Sequence, residues 1–207
     1  MNKQLSLLTV ALLLTGAPSA FAASSTDLTV TGTITPSACA PTLSNSGTVD
    51  LGKISVRDLN VDQPTQLLPQ NLQLTVTCDA PTLMAVETKD NREGSNYDNG
   101  VYDYGLGLIN GTEKLGAMQL RLRSPVADGV PARTIGSEDA GSSWYNEPYL
   151  FRTNIISVAQ TGTVVPIPVQ LFTSDLNVQA EIAPTNRLTL NNEVAIDGSV
   201  TLTVRYL

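Results

Sequence analysis

Short apolar runs, each closed off by Gly, Pro, Asn or Asp, recur along this chain, and no window of a dozen residues after position 22 carries a sustained helical stripe. The runs lie at 28–34, 49–54, 72–77, 83–88, 117–123, 155–158, 164–171, 176–182, 188–190 and 194–204, and are rich in Val, Leu, Ile and Thr. Short strands at regular spacing between turn residues restrict the chain to an all-β architecture, a sandwich or a barrel. The final run is the clearest. In GSVTLTVRYL, Val200, Leu202, Val204 and Tyr206 alternate with Thr201, Thr203 and Arg205, the two-residue period of a strand with one face in a core.

Turns are marked by Asn99-Gly100, Asn110-Gly111, Asp128-Gly129 and Asp197-Gly198, pairs that accept positive φ at low cost. At Asp197-Gly198 a two-residue hairpin sets an apolar face beside a polar one, whereas a loop over 197–199 aligns Ile196 with Val200 and Val194 with Leu202. Either that loop is bulged or the two strands belong to opposite sheets. The polar, tyrosine-rich stretch 89–105 and the stretch 124–149 around Trp144 read as long surface loops.

Residues 1–22 have the three parts of a secretory leader: a positive start at Lys3, an apolar run from Leu5 to Leu14, and the small-x-small site Ala20-Phe21-Ala22. The run is shorter than the roughly 20 residues of a membrane span, and no later stretch approaches that length. Loss of Lys3 with the leader takes the formal charge from −7 to −8. An acidic chain repels phosphate backbones, which disfavours nucleic acid and anionic lipid as partners. Export places Cys39 and Cys78 in an oxidising compartment, where an even count with no competing thiol predicts a disulfide. The loop of about 39 residues that it closes is worth about 4 kcal/mol on the chain-entropy account.

The chain contains no histidine, which removes a usual member of serine triads, cysteine–histidine pairs and catalytic zinc sites. Glu138, Asp139 and Glu147 lie near Trp144, but nothing in the sequence sets their separation. Asn110-Gly111-Thr112 matches a glycosylation acceptor and is read as a turn. The acidic loop misses the calcium-hand spacing, and no phosphate loop or dinucleotide fingerprint occurs. The expectation is a protein that is not an enzyme and holds neither metal nor cofactor.

A second alternating segment, ASSTDLTVTGTITPSAC at 23–39, places Leu28, Val30, Gly32 and Ile34 on one face. A glycine inside a strand points to a close approach by another backbone or a bulky side chain. The leader, this extension, the first cysteine, VDLGKI at 49–54, LQLTVTC at 72–78 and the terminal strand with Tyr206 next to last together resemble subunits of chaperone-usher fimbriae. More narrowly, YGLGLINGTEKLGAMQLRL at 104–122, LNVQAEIAP at 176–184 and the DGSVTLTVRYL ending resemble the β-fimbrial major subunit group, long catalogued as a domain of unknown function. Many such pilins have a glycine about fourteen residues from the end, where this chain has Val194.

The resemblance implies an incomplete immunoglobulin-like, pilin-type β-sandwich over 36–207, preceded by a donor-strand extension at 23–35. Val200, Leu202, Val204 and Tyr206 would then form an acceptor groove for a chaperone or a neighbouring subunit, and Leu207 would present the terminal carboxylate. Leu28, Val30, Gly32 and Ile34 would fill the groove of the next subunit. The implied partners are a periplasmic pilus chaperone, an outer-membrane usher and other fimbrial subunits, with export through the periplasm to a fimbrium on the cell surface. Two alternatives stay open. One is a secreted or surface carbohydrate- or host-binding module with a self-completed sandwich, using Tyr97, Tyr102, Tyr104, Trp144 and Tyr145. The other is a periplasmic subunit that closes its own groove with 23–35.

Overall fold

A computed structural model describes residues 38–207, together with Thr29 and Thr31. The leader and nearly all of the extension, including Leu28, Val30, Gly32 and Ile34, lie outside the described residues. Residues 38–207 belong to the compact unit that spans 35–207.

The strands are β1 (Cys39–Leu43), β2 (Thr65–Gln66), β3 (Gln70–Thr82), β4 (Met84–Asp90), β5 (Tyr104–Gly105), β6 (Leu108–Ile109) and β7 (Glu113–Lys114). They continue with β8 (Gly116–Ala127), β9 (Val130–Ser137), β10 (Tyr145–Asn146), β11 (Tyr149–Leu150), β12 (Ile155–Gln160), β13 (Val169–Ile182) and β14 (Val200–Tyr206). No α-helix occurs among the described residues, and none of their helical turns is long and apolar enough to cross a membrane.

The long strands form where the alternation is strongest. Leu72, Leu74, Val76 and Cys78 of β3 point inward between exposed Asn71, Gln73 and Thr77, and Leu176 and Val178 of β13 do the same beside exposed Asp175. Antiparallel pairing runs β1-β3-β13-β8-β9-β12-β4-β14. Among the described residues the two halves of this order join at the Asp128-Gly129 hairpin, where Val126 faces Pro131 and Ala127 faces Val130. Asp128 at φ 48° and Gly129 at φ 80° supply the two positive angles that a two-residue hairpin needs.

From that hinge the sheet turns back on itself. Leu74, Val76 and Leu176 of one half pack in one cluster with Val86, Ile156 and Val158 of the other. Each fully buried aliphatic side chain of this kind contributes about 1.5–3 kcal/mol. The far edges nearly meet, since the Cys39 amide donates to the Tyr206 hydroxyl at 3.0 Å. Cys39 lies directly opposite Cys78 in the β1–β3 register, and the two form the expected disulfide.

Several expected elements differ. Residues 49–54, 188–190 and 194–199 are not strands, and the final strand starts at Val200 rather than at 194. The run at 164–171 becomes a strand only from Val169, while the supposed loop 124–149 contains β9. Asp197-Gly198 makes neither of the two hairpin arrangements. A methyl group on Gly198 would sit 2.8 Å from Leu106 Cδ2 and 3.2 Å from Met118 Cε, so this glycine serves close packing rather than a turn. The common reason for the lost strands is pairing: alternation shows which side of an extended segment is buried, but a strand also needs a neighbour to take its backbone hydrogen bonds.

Candidate functional site: an apolar groove

Two of those unpaired segments face each other. Val49, Leu51 and Ile54 line one wall of a cleft and Leu190, Val194 and Ile196 the other, with Leu72, Leu120, Leu176 and Val178 on the floor between them. The cleft has a volume of about 820 Å³. Along both walls burial alternates as in a strand: Val49 and Leu51 are partly buried around exposed Asp50, and Val194 and Ile196 around exposed Ala195. Yet no backbone-to-backbone hydrogen bond involves 49–54 or 190–196 among the described residues.

Side chains hold these walls in place. The Glu113 carboxylate accepts from the Thr189 amide at 2.6 Å, which lowers its pKa, and Asn110 Nδ2 donates to the Thr189 carbonyl at 2.9 Å. At the other end Arg92 grips Asp197 through Nε at 2.9 Å and Nη2 at 2.7 Å, and the Asp197 amide donates to the Leu106 carbonyl. The bidentate bond to Arg92 holds the Asp197 carboxyl below its ordinary pKa and raises that of Arg92. Between these two anchors the backbone of 190–196 finds no backbone partner among the described residues. Over the mouth Lys53 Nζ lies 3.9 Å from Glu193 Oε1, an exposed pair that contributes little to stability.

The final strand completes the cleft. β14 pairs with β4 along one edge from Val200 to Tyr206, and its inward residues Val200, Leu202 and Val204 pack against the main core while remaining only partly buried. Inward residues of interior strands are sealed, with Leu176 2% exposed and Val158 0%. The core is therefore open along β14. Val200 and Leu202 line the groove. Tyr206 and Leu207 lie beyond it: the Tyr206 hydroxyl accepts from Cys39, and the Leu207 amide donates to the Leu83 carbonyl.

The aromatic residues singled out for surface recognition are scattered among different structural jobs. Tyr104 is a correction, because it is fully buried with its hydroxyl 2.6 Å from that of Thr88, and burial raises its pKa. Tyr97 donates to Glu181 and Tyr145 to Glu138, both with pKa raised by burial and by those carboxylates. Tyr102 stands edge-on against Tyr149 and Phe151, and Trp144 is partly buried beside Gly141. The carboxylates near Trp144 are likewise engaged. Asp139 accepts from Ser137 Oγ and from Ser143 N and Oγ, which pulls its pKa down to about 2, while Glu147 is buried and accepts from the Tyr149 amide.

Sequence reasoning places Val200 and Leu202 at the groove but misses Leu106, Met118 and the Arg92–Asp197 anchor. Only the apolar alternation of 49–54 and 188–196 signals the walls, and in the sequence it is indistinguishable from that of a paired strand.

Protein GltF of Escherichia coli strain K12 is 32% identical over 233 aligned positions, which cover 91% of this chain and 92% of GltF. Residues 28–119 match the family described as protein of unknown function (DUF1120). The chain belongs to the DUF1120 family. Uncharacterized protein YhcF of the same organism is 26% identical over 231 positions, covering 92% of this chain and 94% of YhcF. The DUF1120 match starts at Leu28, in the alternating extension, and runs through the first groove wall and β3 into β8.

Proposed function

We propose that this DUF1120 protein is a structural subunit of an adhesive fimbria, exported through the periplasm, delivered by a chaperone and an outer-membrane usher, and polymerised by donor-strand exchange. In this reading the near-closed sheet is an immunoglobulin-like sandwich short of one strand, and the protein is not an enzyme. The observation that carries the proposal is the groove. Its floor is apolar, its walls have no backbone partners among the described residues, and β14 leaves Val200, Leu202 and Val204 incompletely covered. Strand addition satisfies all three conditions at once, because main-chain hydrogen bonds cap the walls while alternate side chains fill the floor.

The donor is the extension at 23–35 of another copy, whose Leu28, Val30, Gly32 and Ile34 lie on one face. A chaperone strand would occupy the same place before assembly and would keep an open β edge from aggregating. The test is deletion of 23–35, with expression in the presence and absence of a periplasmic pilus chaperone. The expected result is a soluble one-to-one complex for the truncated chain and heat-labile, detergent-resistant multimers for the intact chain. A truncated protein that is monomeric and stable without a chaperone, together with an intact chain that never polymerises, overturns the proposal.

A further inference from the structure

On the opposite face of the same strands lies a second cleft, of about 560 Å³, lined by polar side chains where the floor of the groove is aliphatic. Alternation along β13 sends Leu176 and Val178 toward the core and Asp175, Asn177 and Gln179 outward. Asn71 of β3 lies opposite Asn177, and Arg123 of β8 lies opposite Asp175. With Ser124 and Pro69 these residues line the cleft, so proline is its one apolar member among the described residues.

Local irregularity opens this cleft. Between the Asp175–Arg123 and Thr173–Val126 pairs the register shifts, so that Ser124 and Pro125 oppose the single residue Ser174. This is a β-bulge, the device by which a sheet re-aims side chains. Ser124 adopts a left-handed φ of 50° there, and Ser174 Oγ braces the bend by donating to the Arg123 carbonyl at 2.8 Å. Backbone strain held by its surroundings in this way concentrates at sites of recognition.

Within the cleft, each side-chain amide commits one end to the protein and keeps the other free. Asn177 Nδ2 donates to Asn71 Oδ1 at 2.8 Å, which fixes the orientation of both amides, and Gln179 Nε2 donates to the Leu67 carbonyl at 2.7 Å. That leaves Asn71 Nδ2 as a donor, and Asn177 Oδ1 and Gln179 Oε1 as acceptors, with no hydrogen bond to another described residue. The Arg123 guanidinium and the Asp175 carboxylate add a charged donor and a charged acceptor, and no ion pair joins them.

We infer that this cleft is a binding site for a neutral saccharide. Each sugar hydroxyl both donates and accepts, and the cleft offers donors and acceptors side by side, held at set positions by bonds to the protein. One arginine and one aspartate cancel in charge, which disfavours a phosphate or a polyanion. Every lining side chain except that of Pro69 ends in a polar group, which disfavours an acyl chain or a drug-like hydrophobic ligand, whose sites are mostly apolar. The site faces away from the groove and does not depend on the fimbrial reading.

The test is saturation-transfer difference NMR on the full chain with free galactose, mannose, glucose and N-acetylglucosamine, and with glucuronate and inorganic phosphate as acidic probes. At least one neutral sugar is expected to bind at a Kd on the order of millimolar, and the exposed-site substitutions Arg123→Ala and Asp175→Ala are each expected to weaken it roughly tenfold or more. Leu202→Ala, in the groove, is expected to leave sugar binding unchanged. Binding of the acidic probes alone, binding of none, or equal binding by the Arg123 and Asp175 variants overturns the inference.

Discussion

Replacing Leu202 and Leu74 by alanine, one at a time, measures whether the core is open along β14. Both leucines point inward and lose the same atoms, but Leu74 is 0% exposed in the main core away from the groove and Leu202 is only partly buried on the wall of the groove. For Leu74, which does not line the groove, the loss combines the transfer of the removed carbons with an enclosed cavity, a total of about 3–4 kcal/mol. For Leu202 the groove already borders the side chain, so no enclosed void forms and the transfer part itself is reduced, which gives about 1.5–2 kcal/mol. Urea unfolding of the monomeric chain reads the gap as a difference in midpoint at constant slope. The order should reverse in importance on binding: Leu202→Ala is expected to weaken capture of a 23–35 peptide by tenfold or more, equivalent to about 1.4 kcal/mol, and Leu74→Ala by less. Equal costs in the monomer would refute the reasoning, because they would mean that Leu202 is already sealed.

Disulfide removal and acid titration probe other parts of the same structure. The double substitution Cys39→Ser with Cys78→Ser removes the constraint on a sequence separation of 39 and is expected to cost about 4 kcal/mol, read as a drop in the urea midpoint that matches the effect of reductant on the parent chain. Asp139 has a folded-state pKa of about 2 against an ordinary value of 3.8, so its contribution is present above pH 3.8 and is lost as pH falls through about 2. Trp144 fluorescence should therefore shift over that window as the contacts of Asp139 with Ser137 and Ser143 are released, and Asp139→Asn should abolish the shift.

Much of this architecture can be read directly from alternation. The long strands β3, β8 and β13 and the terminal β14 stand out because their inward positions are apolar, and the Asp128-Gly129 hairpin because both residues accept positive φ. β9 is hidden by Pro131, Arg133 and Gly136, which break its apolar pattern, and by Thr134 and Ser137, which are polar yet buried. Tyr104 reads as a surface residue for a related reason: its neighbours in the chain are polar, and only the tertiary packing shows that it closes the core against Thr88. The groove is half legible. Its apolar residues are visible, but the lack of a backbone partner for 49–54 and 190–196 among the described residues is a property of the assembled sheet, which alternation in a single segment does not encode. Long-range contacts such as Arg92 to Asp197, separated by 105 residues, leave no local signature.

Amide hydrogen exchange of residues 49–54 and 190–196 tests the central claim most directly. In the monomer these amides lack backbone acceptors among the described residues and should exchange quickly, while those of β3 and β13 are protected. Addition of a peptide spanning 23–35 should slow exchange along the groove walls by roughly a hundredfold or more at saturation, with little change in β3 or β13. Walls that are already protected in the free monomer, and that do not respond to the peptide, would contradict a fold completed from outside.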